Sequence, residues 1–208
     1  VLGIALVVVF AILTMMLLTW LERKIIGRMQ DRLGPNRTGP LGLLQPVADM
    51  VKLFTKEDIT PSGADRLVFN LGPAVFVLPA FLVFLVMPFG DQMILADLNI
   101  GFLYLVAVSS TMTIGILMSG WASNNKYALL GGMRAVAQFV SYEIPQVLSV
   151  VGVLLLTGSL SMGQIVYAQA NTWFVFLQPL GFLIFVIASV AESNRTPFDI
   201  PEAESEIV

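Results

Sequence analysis

Apolar residues run along this chain in blocks long enough to cross a bilayer, and the polar residues are confined between the blocks. A hydrocarbon core of roughly 30 Å takes roughly 20 mostly apolar helical residues. Five stretches meet that length, at residues 1–20, 68–89, 100–121, 135–157 and 173–191. The pattern predicts an all-α, polytopic transmembrane protein, a single membrane domain over 1–208 with five spans. The first block lacks a basic leader and a small-residue cleavage site and runs straight into Leu21-Glu22-Arg23-Lys24, so it reads as a span, not a signal peptide. The chain starts on Val1 and stops inside a charged run. It therefore reads as part of a longer polypeptide, and the span count as a minimum.

Between the first two blocks, residues 22–66 are too many for a simple turn. Leu43, Leu44, Val47, Val51 and Phe54 follow helical spacing, with Gln45, Asp49, Lys52 and Lys56 on the other face. This predicts an amphipathic helix over 43–56 lying along the membrane surface, with Pro46 in its first turn. The preceding stretch RLGPNRTGPLG has the glycine and proline density of a fixed, non-helical connector. Either this segment is a basic loop that sets topology against lipid head groups, or it is a polar wall facing a partner or ligand, with Arg23, Arg28 and Arg32 as its working residues.

Composition and charge sharpen the picture. With 57% hydrophobic and 12% charged residues and a mean hydropathy of +0.85, the chain lies outside the range of soluble domains. It has no cysteine and no histidine. Disulfides, thiolate-held iron–sulfur clusters, histidine-ligated haem and the usual zinc sites are thereby excluded, so any redox centre is expected on a partner. A net charge of −3 gives no nucleic-acid footprint. Of the eleven Lys and Arg, eight fall in 22–66, Lys126 and Arg134 follow the third block, and Arg195 follows the fifth. Residues 90–99 and 158–172 hold none. By the positive-inside rule the long first loop is cytoplasmic and the N-terminus outside, with Trp20, Trp121 and Trp173 as interfacial anchors. No internal repeat of the kind that builds many transporters is visible.

Two sets of carboxylates stand out. Glu143 lies eight residues into the fourth block, roughly 12 Å along a helix. A carboxyl there is costly unless paired, hydrated or protonated. Tyr142 offers a hydroxyl, and Pro145 frees a backbone carbonyl nearby. The alternatives are a structural hydrogen bond at a helix contact and a step on a proton path. At the end of the chain, Glu192, Asp199, Glu202, Glu204 and Glu206 face only Arg195, in a stretch kinked by Pro197 and Pro201. So many carboxyls beside a low-dielectric region cannot all ionise cheaply, and their protonation is expected to be coupled unless the loop is fully solvated.

Three stretches, LERKIIGRMQDRLGPNRTGPLGLLQPVADMVKLFTKE, LLGGMRAVAQFVSYEIP and AESNRTPFDIPEAESE, resemble the most characteristic segments of the H-subunit family of bacterial respiratory complex I (NADH-quinone oxidoreductase), whose mitochondrial counterpart is NADH dehydrogenase subunit 1. The resemblance runs from end to end of the chain. It implies a full chain of eight spans, of which this one holds the first five. It also implies a multi-pass protein of the bacterial inner membrane that binds no cofactor itself. Partner subunits would hold the iron–sulfur clusters, FMN and NADH, and quinone would be the substrate. The implied neighbours are the peripheral subunits around the terminal cluster, the antiporter-like and small membrane-arm subunits, and the bilayer. In the family's terms Arg23, Arg32 and Asp49 match the wall of the quinone chamber, and Arg195 and Asp199 the loop that orders it. Glu22, Tyr142, Glu143, Glu192, Glu202, Glu204 and Glu206 match the acidic route towards the proton-pumping subunits.

Rival readings are the homologous membrane subunit of an energy-converting hydrogenase or formate hydrogenlyase, a stand-alone ion transporter, and a purely structural anchor. The transporter would work without partners, and the anchor would tolerate loss of Glu143. Because the chain lacks cysteine, its topology is open to direct test. A single cysteine at Asp91 or Asn171 is expected to react with an impermeant thiol reagent added outside, and one at Asn124 only after the membrane is opened. The reverse labelling would invert the orientation.

Overall fold

The computed structural model describes residues 2–90, 93–195 and 197–198, and these are helices, turns and loops without a strand. The chain divides into two compact units, Val1–Ile59 and Thr60–Val208.

The first unit holds α1 (Leu2–Met29) and α2 (Gln45–Thr55). Helix α1 runs beyond the expected boundary at residue 20, because Glu22, Arg23 and Lys24 are good helix formers and Leu21, Ile25 and Ile26 continue the apolar face. Glu22 and Arg23 are thus helical residues, not loop residues. The helix stops where Asp31 turns to φ 52° and the Arg32 N–H donates back to the Gly27 carbonyl at 2.9 Å. The connector then folds tightly. Gly42 has φ 77°, and a Cβ there would lie 2.2 Å from the Pro35 carbonyl oxygen, so only glycine fits. The Trp20 indole N–H donates to the Leu41 carbonyl at 3.2 Å, tying this connector to α1. Helix α2 falls within the expected amphipathic segment, with Pro46 in its first turn and Val51, Leu53 and Phe54 exposed.

The second unit contains α3 (Arg66–Val83), α4 (Gly101–Ala122), α5 (Lys126–Thr157), α6 (Met162–Ala168), α7 (Phe174–Leu177) and α8 (Pro179–Glu192). Helix α4 packs on α3 and α5, and α5 packs on α4 and α8. Its buried side chains are mostly small, among them Ala122, Ala135, Ala188 and Ala191, while Leu148, Leu155, Leu180 and Phe182 are exposed. That inversion is what lipid asks for: large apolar groups gain nothing by leaving hydrocarbon, and small ones let helix backbones approach. At Gly115 an added Cβ would lie 2.7 Å from the backbone nitrogen of Phe76, so glycine is what permits the α3–α4 contact.

Capping fixes the helix starts. Asp65 accepts from the Leu67 N–H at 3.2 Å, Asn125 accepts from the Tyr127 N–H at 3.0 Å, and the Asp65 N–H donates to the Ala122 carbonyl at 3.0 Å. The start of α3 and the end of α4 therefore share one end of the bundle. Helix α5 begins at Lys126 instead of residue 135, and its 32 residues span about 48 Å, more than the hydrocarbon core.

Among the described residues α1, α3, α4 and α5 are long and apolar enough to cross a membrane, and α8 is a shorter apolar helix. Two expected spans differ from their helices. The second ends at Val83 and continues as tight turns through the buried Val86. The fifth is broken at Gln178, with φ −134° and ψ 61° immediately before Pro179, giving α7 and α8. An ideal Cβ on Gly152 would meet the Gln178 side-chain oxygen at 2.5 Å, so the break lies directly against α5.

Gly115→Ala is expected to force α3 and α4 apart and to cost about 1–3 kcal/mol, seen as a lower midpoint in thermal denaturation of the solubilised protein. Gly181→Ala, whose added carbon comes no nearer than 3.4 Å to its neighbours, serves as the near-neutral control.

Candidate functional site

In the first unit the end of α1, the connector and α2 enclose a cleft of about 860 Å³. Arg23, Arg32 and Arg37 line it together with Leu33, Asn36 and Gln45. The Arg23 guanidinium forms an ion pair with Asp49. Gln45 Nε2 donates to the second Asp49 oxygen at 2.9 Å, and Gln45 Oε1 accepts from the Thr38 hydroxyl at 2.7 Å. Asp49 thus holds α2 to α1 while Thr38 and Gln45 fix its rotamer. The Arg23 hydrogen bond, helped by that from Gln45, holds the Asp49 carboxyl below the usual carboxylate range. Arg32 Nε donates to Gln30 Oε1 at 2.8 Å, and its exposed side chain stays on the cleft wall. Glu22 lies half-buried on α1 beside Arg23. Within this unit the structure joins Arg23 to Asp49 and places Arg32 in the same cleft.

In the second unit α5 presents successive residues to different neighbours, because each step turns about 100° around the axis. Glu143 faces α4, where the Ser110 hydroxyl donates to Glu143 Oε1. Tyr142 faces the chain leaving α8, its ring meeting Phe198 edge to face at a centroid distance of 5.0 Å. One turn further on, Gln146 Nε2 donates to the Ser189 hydroxyl of α8 at 3.4 Å. Both Tyr142 and Glu143 are half-buried.

The Ser110 oxygen also lies 2.9 Å from the Val106 carbonyl oxygen. A hydroxyl has one proton and can accept as well as donate. With Glu143 ionised, the Ser110 proton points at the carboxylate. With Glu143 protonated, the acid O–H points at Ser110 and the serine proton turns to Val106. Each protonation state thus has a satisfied arrangement, reached by rotation of one hydroxyl.

Glu192 is the last residue of α8 and is half-buried, so it is helical and not part of the kinked stretch. Arg195 is exposed in the turn that follows, where its N–H donates to the Val190 carbonyl at 3.3 Å. Asp199, Glu202, Glu204 and Glu206 lie outside the described residues.

Reading the sequence missed Ser110, Gln138, Thr38 and Arg37. The run Ser109-Ser110-Thr111 with Thr113, in the middle of an apolar span, was the available signal for a polar partner on α4. Gln138 had a similar signal, an amide inside a span one turn before Tyr142.

Apolar helices touching through small residues, with a hydrogen-bonded carboxyl in mid-helix, define a polytopic membrane protein. The family model described as NADH dehydrogenase matches residues 2–208, and the chain belongs to that family. It is 59% identical over 199 residues to the H subunit of NADH-quinone oxidoreductase from Dehalococcoides mccartyi (strain CBDB1), covering 96% of this chain and 56% of that protein. To the proteins of the same name from Bacillus thuringiensis (strain Al Hakam) and Bacillus cereus (strain AH187) it is 55% identical over 208 residues, covering 99% of this chain and 62% of each. The chain thus spans 56–62% of the length of these curated relatives.

Asp49 supplies a pH test in the first unit. A carboxyl held low in the folded state adds stability above its unfolded value, and that stability is lost as pH falls through the folded value. In a variant carrying Trp121→Phe and Trp173→Phe, which leaves Trp20 as the fluorophore, the emission is expected to stay constant down through the ordinary aspartate range near about pH 4 and to change only below it. Arg23→Ala should move the transition upward and Asp49→Asn should abolish it. A transition unmoved by Arg23→Ala would mean that the ion pair does not hold the connector.

Proposed function

We propose that this chain is the H subunit of a proton-translocating NADH:quinone oxidoreductase of the bacterial cytoplasmic membrane. The reading is supported by the family membership and by the name shared by relatives 55–59% identical. In this reading the N-terminus lies outside and residues 22–66 face the cytoplasm, an orientation supported by the one-sided distribution of Lys and Arg. With peripheral subunits the chain encloses the chamber in which quinone is reduced. Arg23, Arg32 and Asp49 form its wall, and Arg195 and Asp199 order the loop beside it. The chain holds no redox centre of its own. NADH, FMN and the iron–sulfur clusters belong to partner subunits, and antiporter-like subunits receive the coupling.

Reduction of quinone to quinol takes up two electrons, delivered by the terminal cluster, and two protons. Removing protons from the chamber, or placing an anion there, alters the ionisation of nearby carboxyls. Glu22, Tyr142, Glu143, Glu192, Glu202, Glu204 and Glu206 carry that change towards the pumping subunits. The observation that carries this reading is the Ser110–Glu143 pair, which accommodates Glu143 with and without its proton.

In the assembled complex with the full-length chain, Glu143→Gln keeps the size of the side chain and loses its titration. Quinone-linked turnover and proton translocation in proteoliposomes are expected to fall about tenfold or more, while NADH oxidation by a water-soluble acceptor persists. Glu143→Asp should recover part of the loss. Ser110→Ala should lower turnover less than Glu143→Gln, because the carboxyl can still titrate. If assembled Glu143→Gln pumps like the parent, the relay is not as described.

A further inference from the structure

Gln138 is a buried amide, 6% exposed, one helical turn before Tyr142 on α5. Its Nε2 lies within hydrogen-bonding distance of three oxygens: the Phe198 carbonyl at 2.8 Å, the Ala191 carbonyl at 3.1 Å and Asn194 Oδ1 at 3.3 Å. All three belong to the end of α8 and the turn that leaves it. The orientation of the amide is settled by chemistry, since a flipped Gln138 would set its oxygen against three acceptors. Among the described residues its own Oε1 is buried without a hydrogen-bond partner.

The segment it holds is itself a defined helix ending. Asn194 has φ 51°, its N–H donates to the Ala191 carbonyl at 3.3 Å, and the Arg195 N–H donates to Val190. This is the Schellman pattern, built here on an asparagine. Gln138 joins both ends of that turn to α5, through Ala191 before it and Phe198 after it. Phe198 also meets the Tyr142 ring, and Tyr142 adjoins Glu143. An amide has two hydrogens and here faces three acceptors. The turn can therefore exchange one partner for another while Gln138 keeps hold of it.

We infer that Gln138 is a positioning residue, which seats the chain leaving α8 on α5 and thereby sets where the acidic segment after Phe198 begins relative to Glu143. The inference rests on the proton-coupling reading of Glu143 and assigns the alignment of that route to one uncharged side chain.

The test uses the assembled complex with the full-length chain carrying Gln138→Leu. Leucine is of similar size and removes the unpaired Oε1, which limits the cost to the fold. Two readouts are expected to change. Backbone hydrogen exchange at residues 193–195 should speed up about tenfold, as loss of one or two hydrogen bonds implies. Protons translocated per quinone reduced should also fall, while NADH oxidation by a water-soluble acceptor is unchanged. A general loss of stability would lower the amount of complex and leave that ratio intact in what remains. If Gln138→Leu does not assemble, Gln138→Asn replaces it, keeping the amide but reaching about 1.5 Å less, with the same two readouts. Faster exchange with an unaltered ratio, or unaltered exchange, would overturn the inference. Failure of the underlying reading is seen separately, as normal pumping by Glu143→Gln.

Discussion

A carboxyl group set among apolar helices needs a hydrogen-bonding partner in each of its protonation states, and Glu143 finds one in Ser110. Much of the second unit can be read as the support for that one contact. Ser110 reaches α5 because α4 approaches closely. That approach is made possible by a small residue on α4: an added Cβ on Gly120 would lie 3.2 Å from the Ala128 carbonyl oxygen and 3.6 Å from the Cα of Gly132, both on α5. Large apolar side chains are turned outward, where hydrocarbon accommodates them at no cost. Polar groups between the helices therefore carry the specificity that shape provides in a soluble core.

The first unit meets the opposite problem, a surplus of positive charge near the end of a long apolar helix. Part of its solution is the Asp49 carboxylate, which neutralises Arg23 and accepts from Gln45, whose own side chain is held by the Thr38 hydroxyl. Arg32 and Arg37 remain along the same cleft. The unusual backbone of the connector, with Gly39, Leu41 and Gly42 all at positive φ, draws the polypeptide into the compact turn from which Thr38 can meet Gln45. Local strain here serves to order charges.

The all-helical fold and the membrane class were legible because hydrophobic block length is a physical requirement of the bilayer. So was the amphipathic helix, expected over 43–56 from its period and found at 45–55; Glu143 stood out as a carboxyl inside an apolar block, whereas Asp49 was singled out as a site residue only through the family resemblance. Helix ends were less legible. Glu22 and Arg23 belong to α1 and Lys126 starts α5, since a helix can outrun its apolar segment into water without penalty. The break at Gln178 was hidden by its composition: the apolar run continues through Pro179 while the backbone does not. Ser110 and Gln138 were missed for a different reason. Their importance comes from which helix each one faces, and that depends on packing between segments far apart in sequence.

The break has a consequence for the surrounding lipid. Helix α8 has 14 residues and so measures about 21 Å, against roughly 30 Å of hydrocarbon in an ordinary bilayer. A rod that short is matched by local thinning of the membrane, at a cost of fractions of a kcal/mol per Å. A helix of that length matches a hydrocarbon layer about 9 Å thinner than the ordinary one. Membrane thickness becomes a mechanical load on the helix whose far end carries Glu192 and the turn seated by Gln138.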